Sequence, residues 1–396
     1  MGLTFQARVG MLRFSSILAL LFAAALSAVG AAPAAAQVFD TKAPHAIVVD
    51  YDTGTVLFEK AADELFEPAS MAKLMTVELT FDALKNGQLK EYETLNVSEH
   101  AWRTGGAPAG GSAMFAAIHS DVPVRDLLRG LIVQSGNDAA IVLAEGIGGS
   151  EPAFVDRMND RAAALGMTRS QFRNSNGLHD PEQVVTARDL ATLARHVIQT
   201  YPDYYRIFSE PEFTWNNIRQ TNRNPLVDDN IGVDGLKTGF IKESGYGITV
   251  SALRNGQRLV LVVAGLSSES DRESEAKRLL DWGFRSFQNV TAFNADEIVA
   301  EASVYGGVAG RVPLKANGPI NILVPRDAKD TLRARVVYEG PLMAPVKEGM
   351  QVGTLKVWAG DRLIQETPLY TAAAVGRGPL HSRALDALGE LLFGWL

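Results

Sequence analysis

The residues from His45 to Asp50 form a short apolar run rich in β-branched side chains, and a second run follows from Thr55 to Glu59. Between them Asp52-Thr53-Gly54 supplies turn residues, so the pair predicts a β-hairpin. From Pro68 to Asn86 the period changes. Met71, Leu74, Met75, Leu79 and Leu84 share one stripe, which predicts a helix stopped by Asn86-Gly87. Residues 104–113 are rich in Gly, Ala and Pro and predict a loop. Helical spacing then covers Val124 to Ile147, Phe154 to Leu165 and Ala187 to Ile198. Strand-like runs return at Gly247 to Leu253 and Leu259 to Gly265, joined by the hairpin signal Arg254-Asn255-Gly256-Gln257. A helix from Arg272 to Phe287 closes the block.

Beyond Asn289 the texture changes to short alternating runs at Ile298–Tyr305, Ile320–Val324, Ala334–Tyr338, Val352–Ala359 and Leu363–Leu369. Gly and Pro turns separate them and no long helix fits, so residues 291–375 predict a small all-β domain. Residues 371–379 read as an Ala/Gly linker. From Leu380 the apolar residues Ala384, Leu385, Leu388, Leu391, Leu392 and Trp395 recur at helical spacing, with Arg383, Asp386 and Glu390 off the stripe. Residues 376–396 are therefore expected to form an amphipathic helix that lies in a membrane interface, mainly through apolar contact. The bland reading is that this helix packs on its own β-domain.

The other end decides the compartment. Arg8 and Arg13, the apolar run Ile17 to Val29 and the small residues ending at Ala34-Ala35-Ala36 make a secretory signal, too short to span a bilayer. Cleavage after Ala36 sets residues 1–36 aside and leaves 37–290 as the main domain; the alternative is a transmembrane anchor. The cut removes two Arg and leaves 36 Lys and Arg against 45 acids, a mature net charge of −9. That balance opposes a nucleic-acid role. Cysteine is absent, so an exported chain here has no disulfide framework and no thiol nucleophile. Six His, none paired at ligand spacing, argue against zinc, and no cofactor is expected.

Three short elements carry the candidate chemistry: Ser70-Met71-Ala72-Lys73, Ser135-Gly136-Asn137 and Lys237-Thr238-Gly239. Ser70 and Lys73 lie three apart at a helix start, so both side chains face one way. A Ser hydroxyl needs an adjacent base. Lys73 serves only if burial or a second cation, with Lys237 the candidate, depresses its pKa. A helix N-terminus also aims free N–H groups at a reacting carbonyl. Ser135 and Asn137 would supply a proton relay and a hydrogen bond to substrate or to Lys73. Lys237-Thr238-Gly239 is expected on an edge strand, where Gly239 admits a peptide backbone, with the N–H groups of Ser70 and Phe240 as oxyanion hole. Each element alone is weak. Ser274-Glu275-Ala276-Lys277 also matches the first one, on what should be a solvated helix face.

In this order the three elements are the signature of penicillin-binding proteins and class A β-lactamases. The chain resembles the low-molecular-mass penicillin-binding proteins that act as D-alanyl-D-alanine carboxypeptidases, peptidase family S11. The likeness runs through Pro68–Lys73, Gln134–Ala139, Thr186–Asp189, Val233–Gly239 and Leu280–Gly283. It implies an α/β (α+β) β-lactamase/transpeptidase-like catalytic domain with an antiparallel sheet between helical layers. It further implies attack by Ser70 on peptidoglycan stem peptides ending in D-Ala-D-Ala, with β-lactams as covalent inhibitors. The catalytic residues would be Ser70, Lys73, Ser135 and Asn137; Lys237, Thr238, Gly239, Phe240 and Arg272 would bind substrate, Arg272 near its terminal carboxylate. The expected place is the periplasmic face of the cytoplasmic membrane. Phe240 departs from the polar residue of the best-studied members, which puts leaving-group contacts in doubt.

Two rivals stand beside this. A β-lactamase would need a deacylating Glu, and the one Glu-x-x-x-Asn, Glu212 to Asn216, lies near the third element in a strand-like segment. A catalytically silent wall-binding scaffold would not need Ser70, Lys73, Ser135, Asn137 and Lys237 all intact.

Overall fold

The computed structural model describes residues 39–326, 332–359 and 362–380; the expected signal segment and the expected terminal helix beyond residue 380 lie outside them. The centre is a five-stranded antiparallel sheet in the order β2-β1-β9-β8-β7. Its strands are β1 (His45–Asp50), β2 (Val56–Lys60), β7 (Val233–Ile241), β8 (Gly245–Arg254) and β9 (Gln257–Leu266). Ribbons β3 (Thr94–Asn96) with β4 (Asp121–Pro123) and β5 (Glu212–Trp215) with β6 (Ile218–Thr221) lie outside it. Both predicted hairpins form. In the turn between β8 and β9, Asn255 (φ 51°) and Gly256 (φ 79°) are both left-handed, as a two-residue turn matched to strand twist requires.

The helices are α1 (Lys73–Lys85), α2 (Glu99–Gly105), α3 (Val124–Ile132), α4 (Asn137–Gly148), α5 (Glu151–Ala164), α6 (Ala187–Thr200), α7 (Pro202–Tyr205) and α8 (Glu269–Ser286). Strand alternation divides them between the two sheet faces. Ile47, Val49, Val260 and Val262 join the large core with α1, α4 and α6. Val48 and Leu259 lie on the other face, where Gly283 of α8 packs so closely that a Cβ would come 2.7 Å from Leu259. Helix α1 is buried on most sides, which explains its apolar stripe widening to include Phe81 and Ala83.

Three expectations change. The helical spacing from Val124 to Ile147 is two helices, because Ser135 is left-handed (φ 64°) and ends one while Gly136 begins the next. Helix α8 starts at Glu269, capped by Ser268 accepting from Asp271 N, so Arg272 is inside its first turns and not at its start. The stretch read as a linker is part of the small domain. Val346 and Val375 exchange both backbone hydrogen bonds at 2.9 Å, and Val375 is buried.

The small domain is all-β, as expected. Strand β10 (Phe287–Phe293) follows α8 directly and pairs with β13 (Ile320–Pro325). The remaining strands are β11 (Ala300–Tyr305), β12 (Arg311–Lys315), β14 (Leu332–Tyr338), β15 (Leu342–Met343), β16 (Gln351–Ala359) and β17 (Arg362–Thr371). They form one sheet in the order β14-β16-β17-β12-β11-β15, around a core that includes Val312, Leu314, Leu355 and Leu369.

Candidate active site

Ser70 lies in a 3-10 turn (Ala69–Ala72) that feeds directly into α1. The preceding residue, Ala69, is held left-handed at φ 49°, a strain on the order of 1–3 kcal/mol that the surrounding packing must overcome. Two close approaches provide that packing. At Gly177 (φ 76°) a Cβ would fall 2.0 Å from Ala69 O and 2.9 Å from Ser70 N. At Gly239 it would fall 2.8 Å from Pro68 O. The nucleophile's turn is thus pressed between an edge strand and a loop, and glycine is needed on both sides.

One turn on, Lys73 is completely buried. Its Nζ donates to Asn137 Oδ1 at 2.7 Å and to the backbone carbonyl of Asn176, and lies 3.0 Å from Ser70 Oγ. A neutral amine has two N–H groups and one lone pair. The Asn137 and Asn176 oxygens can only accept, so they take the two N–H groups, and the lone pair is left for the Ser70 hydroxyl. Burial pulls the Lys73 pKa down to about 7, while the carboxylate of Asp138 pulls the other way. The amine is therefore substantially neutral at neutral pH.

Residues 133–137 bring the second element in. Gly136 N donates to Gly130 O at 2.8 Å, and Asn137 N donates to Ser112 O at 2.8 Å. Ser135 and Asn137 are both buried. Asn137 contacts Lys73 directly; Ser135 Oγ makes no hydrogen bond to either lysine among the described residues. Asp138 faces the other way from Asn137 and ties down the 114–116 loop, accepting from Met114 N at 2.9 Å and Ala116 N at 3.1 Å.

The third element lies on β7, at the sheet edge. Lys237 is buried, its Nζ donating to Thr238 O at 3.2 Å. Burial, followed by the charges of the neighbouring Arg223 and Arg272 and of Lys73 when it is protonated, pushes its pKa well down. Repulsion between two amines is mutual, but at Lys73 burial, and not Lys237, is the main cause of the shift. Arg272 is buried on α8, paired with Glu269 at 2.6 Å, and its guanidinium stands 5.8 Å from the Tyr246 ring. Phe240 is half exposed and stacks on the same ring at 4.2 Å.

The second Ser-x-x-Lys is a surface feature: Ser274 is exposed and Lys277 pairs with Asp229 at 2.6 Å. Glu212 lies on an exposed ribbon, paired with Arg219. Sequence reading gave no role to Asn176, Gly177, Asp138 or Arg223. Asn174-Ser175-Asn176-Gly177 carried a turn signal and nothing more. In the structure that turn is anchored by Thr76 Oγ1 donating to Ser175 O at 2.6 Å and by Ser175 Oγ donating to Glu151 Oε1 at 2.6 Å.

The chain that carries this nucleophile, buried amine and edge strand matches the family model of D-alanyl-D-alanine carboxypeptidase over residues 31–268. The chain belongs to peptidase family S11. A second model, the penicillin-binding protein 5 C-terminal domain, matches residues 287–377. Among S11 relatives, D-alanyl-D-alanine carboxypeptidase DacC of Escherichia coli is 38% identical over 352 residues, 88% of each chain. DacF of Bacillus subtilis is 32% identical over 83% of this chain and 84% of its own. Penicillin-binding protein 5 from Haemophilus influenzae superposes with a TM-score of 0.79 at 35% identity, covering 85% of this chain and 98% of that one. Penicillin-binding protein D2 of Listeria monocytogenes, in its ampicillin-bound form, matches at 0.54 and 30% identity over 62% of this chain and 98% of its own.

Proposed function

We propose that this chain is a serine-type D-Ala-D-Ala carboxypeptidase that removes the terminal D-alanine from peptidoglycan pentapeptides through an acyl-enzyme on Ser70 and is inhibited by β-lactams. The observation that carries this is the Lys73 amine: buried, its two N–H groups accepted by Asn137 and Asn176, and 3.0 Å from the hydroxyl it would deprotonate.

In this reading the Ser70 Oγ proton passes to Lys73 Nζ as Oγ bonds to the carbonyl carbon of the penultimate D-alanine. The N–H groups of Ser70 and Phe240 hold the oxyanion. The ammonium then returns a proton, with Ser135 as relay, to the leaving nitrogen, and the C–N bond breaks. Water repeats the sequence on the ester and restores Ser70. Lys237, Thr238 and Arg272 bind the free carboxylate of the departing residue by charge-assisted hydrogen bonds. Its arrival offsets the repulsion among Lys237, Arg223 and Arg272 and so favours the charged form of Lys237 that burial opposes.

The mature protein starts after Ala36 and works at the periplasmic face of the cytoplasmic membrane, held there by residues beyond Leu380. Among the described residues no helix is long and apolar enough to cross a membrane. The deciding experiment is D-alanine release from a pentapeptide ending in D-Ala-D-Ala, with the penicilloyl adduct mapped by mass spectrometry. Ser70→Ala should abolish both. An adduct on a peptide lacking Ser70 would overturn the assignment.

A further inference from the structure

We infer that Phe240, Tyr246 and Arg272 form a subsite for the departing C-terminal residue that accepts a D-residue with an apolar side chain larger than methyl, such as D-leucine or D-methionine. The inference rests on the carboxypeptidase reading and names its leaving group more closely.

The alternation of β7 separates two tasks. Lys237 and Gly239 face the Ser70 turn: Gly239 lies against Pro68, and Thr249, the cross-strand partner of Lys237, donates to Met71 Sδ at 3.6 Å. Thr238 and Phe240 point to the opposite face. There Phe240 is paired in register with Tyr246, the two rings stacked 4.2 Å apart at 28°. Tyr246 in turn lies under the Arg272 guanidinium.

Two features show unused recognition capacity. Phe240 is 49% exposed, an aromatic surface fixed by stacking but not spent on the core. Arg272 is 3% exposed, yet its Nε has no partner among the described residues, and its ion-pair partner Glu269 is 67% exposed. A solvated partner of that kind holds the guanidinium weakly. A C-terminal residue carries its carboxylate and its side chain on the same Cα. With the carboxylate on Thr238 and Arg272, the side chain falls beside the Phe240 ring. A methyl group covers little of that ring, whereas a leucine- or methionine-sized chain covers much of it and is drawn there by the area it removes from water.

The test measures kcat/KM on peptides ending in D-Ala-D-Ala, D-Ala-D-Leu and D-Ala-D-Met, with the released amino acid quantified by chromatography. Wild-type enzyme should release D-leucine and D-methionine within about tenfold of D-alanine or faster. In Phe240→Ala the ratio of D-leucine to D-alanine release should drop about 10- to 100-fold, the equivalent of removing a leucine-sized burial. Phe240→Leu should keep most of the ratio. An unmoved ratio in Phe240→Ala overturns the inference. So does a wild-type enzyme that releases D-alanine but handles D-leucine and D-methionine more than 100-fold more slowly; this second arm needs no variant to fold. Release of no residue at all, D-alanine included, would instead overturn the carboxypeptidase reading on which the inference stands.

Discussion

Lys73 hydrogen-bonds the backbone carbonyl of Asn176, 103 residues away in the chain, and not its side chain. The contact makes the 174–177 turn the third support of the base, beside Ser70 and Asn137, and it depends on Gly177. Gly177→Ala would place a Cβ 2.0 Å from Ala69 O at a left-handed φ of 76°. We expect at least a tenfold loss in the rate of penicillin acylation and a destabilisation of about 1–3 kcal/mol. Gly310→Ala, with nothing within 4 Å, should change neither. Stopped-flow acylation and thermal melts check both.

The acylation rate should follow the neutral fraction of Lys73. With its pKa near 7, the rate rises with pH through that value and falls about tenfold per unit below it. Lys73→Arg cannot lose its proton in this range and should cost at least ~100-fold above pH 7, with a flat profile and the fold retained. A flat profile from pH 5 to 8 in the wild type would remove Lys73 as the base.

Asp138 joins base tuning to loop anchoring. Its charge raises the Lys73 pKa, and its oxygens accept from Met114, Ala116 and Ala139. Asp138→Asn removes the charge, so the acid limb of the acylation profile should move to lower pH. It also turns one acceptor oxygen into a donor facing backbone N–H groups, costing about 1–3 kcal/mol. A pH titration of acylation and a melt of the same variant separate the two effects.

Amidating the substrate's terminal carboxylate should weaken turnover strongly, because a charge-assisted contact becomes a neutral one. Arg272→Ala should shrink that acid-over-amide preference. Comparing kcat/KM for the acid and amide peptides in both enzymes is decisive. An unchanged preference would take Arg272 out of carboxylate recognition.

At the C-terminal end, the structure places the useful cut later than the linker pattern suggests. Removing residues 381–396 should release an active enzyme from membrane fractions, since pairing among described residues extends to Gly378, which donates to Gly306 O at 2.9 Å. Removing residues from 372 onward also strips out the buried Val375 and should destabilise the small domain by about 1.5–3 kcal/mol. Fractionation, followed by penicillin labelling and melting of the soluble form, tests both cuts.

Local chemistry was legible because it repeats at short range. Ser70 and Lys73 share a face by spacing alone, Asn255-Gly256 can make only a narrow class of turn, and the period change near Pro68 separates strand from helix. The apolar spacing of Val124 to Ile147 hid a break, because helical residues flank it and the left-handed Ser135 is held by packing, not by propensity. Asn176 was invisible for a deeper reason. Every residue carries a backbone carbonyl, so no side-chain pattern marks the one that meets a distant amine. Arg223 sits outside all three motifs and reaches Lys237 only through tertiary proximity. The sequence determined which groups could react. The fold decided that Lys73 is buried, and burial, which no local pattern encodes, is what brings its pKa to the range where an amine can act as a base.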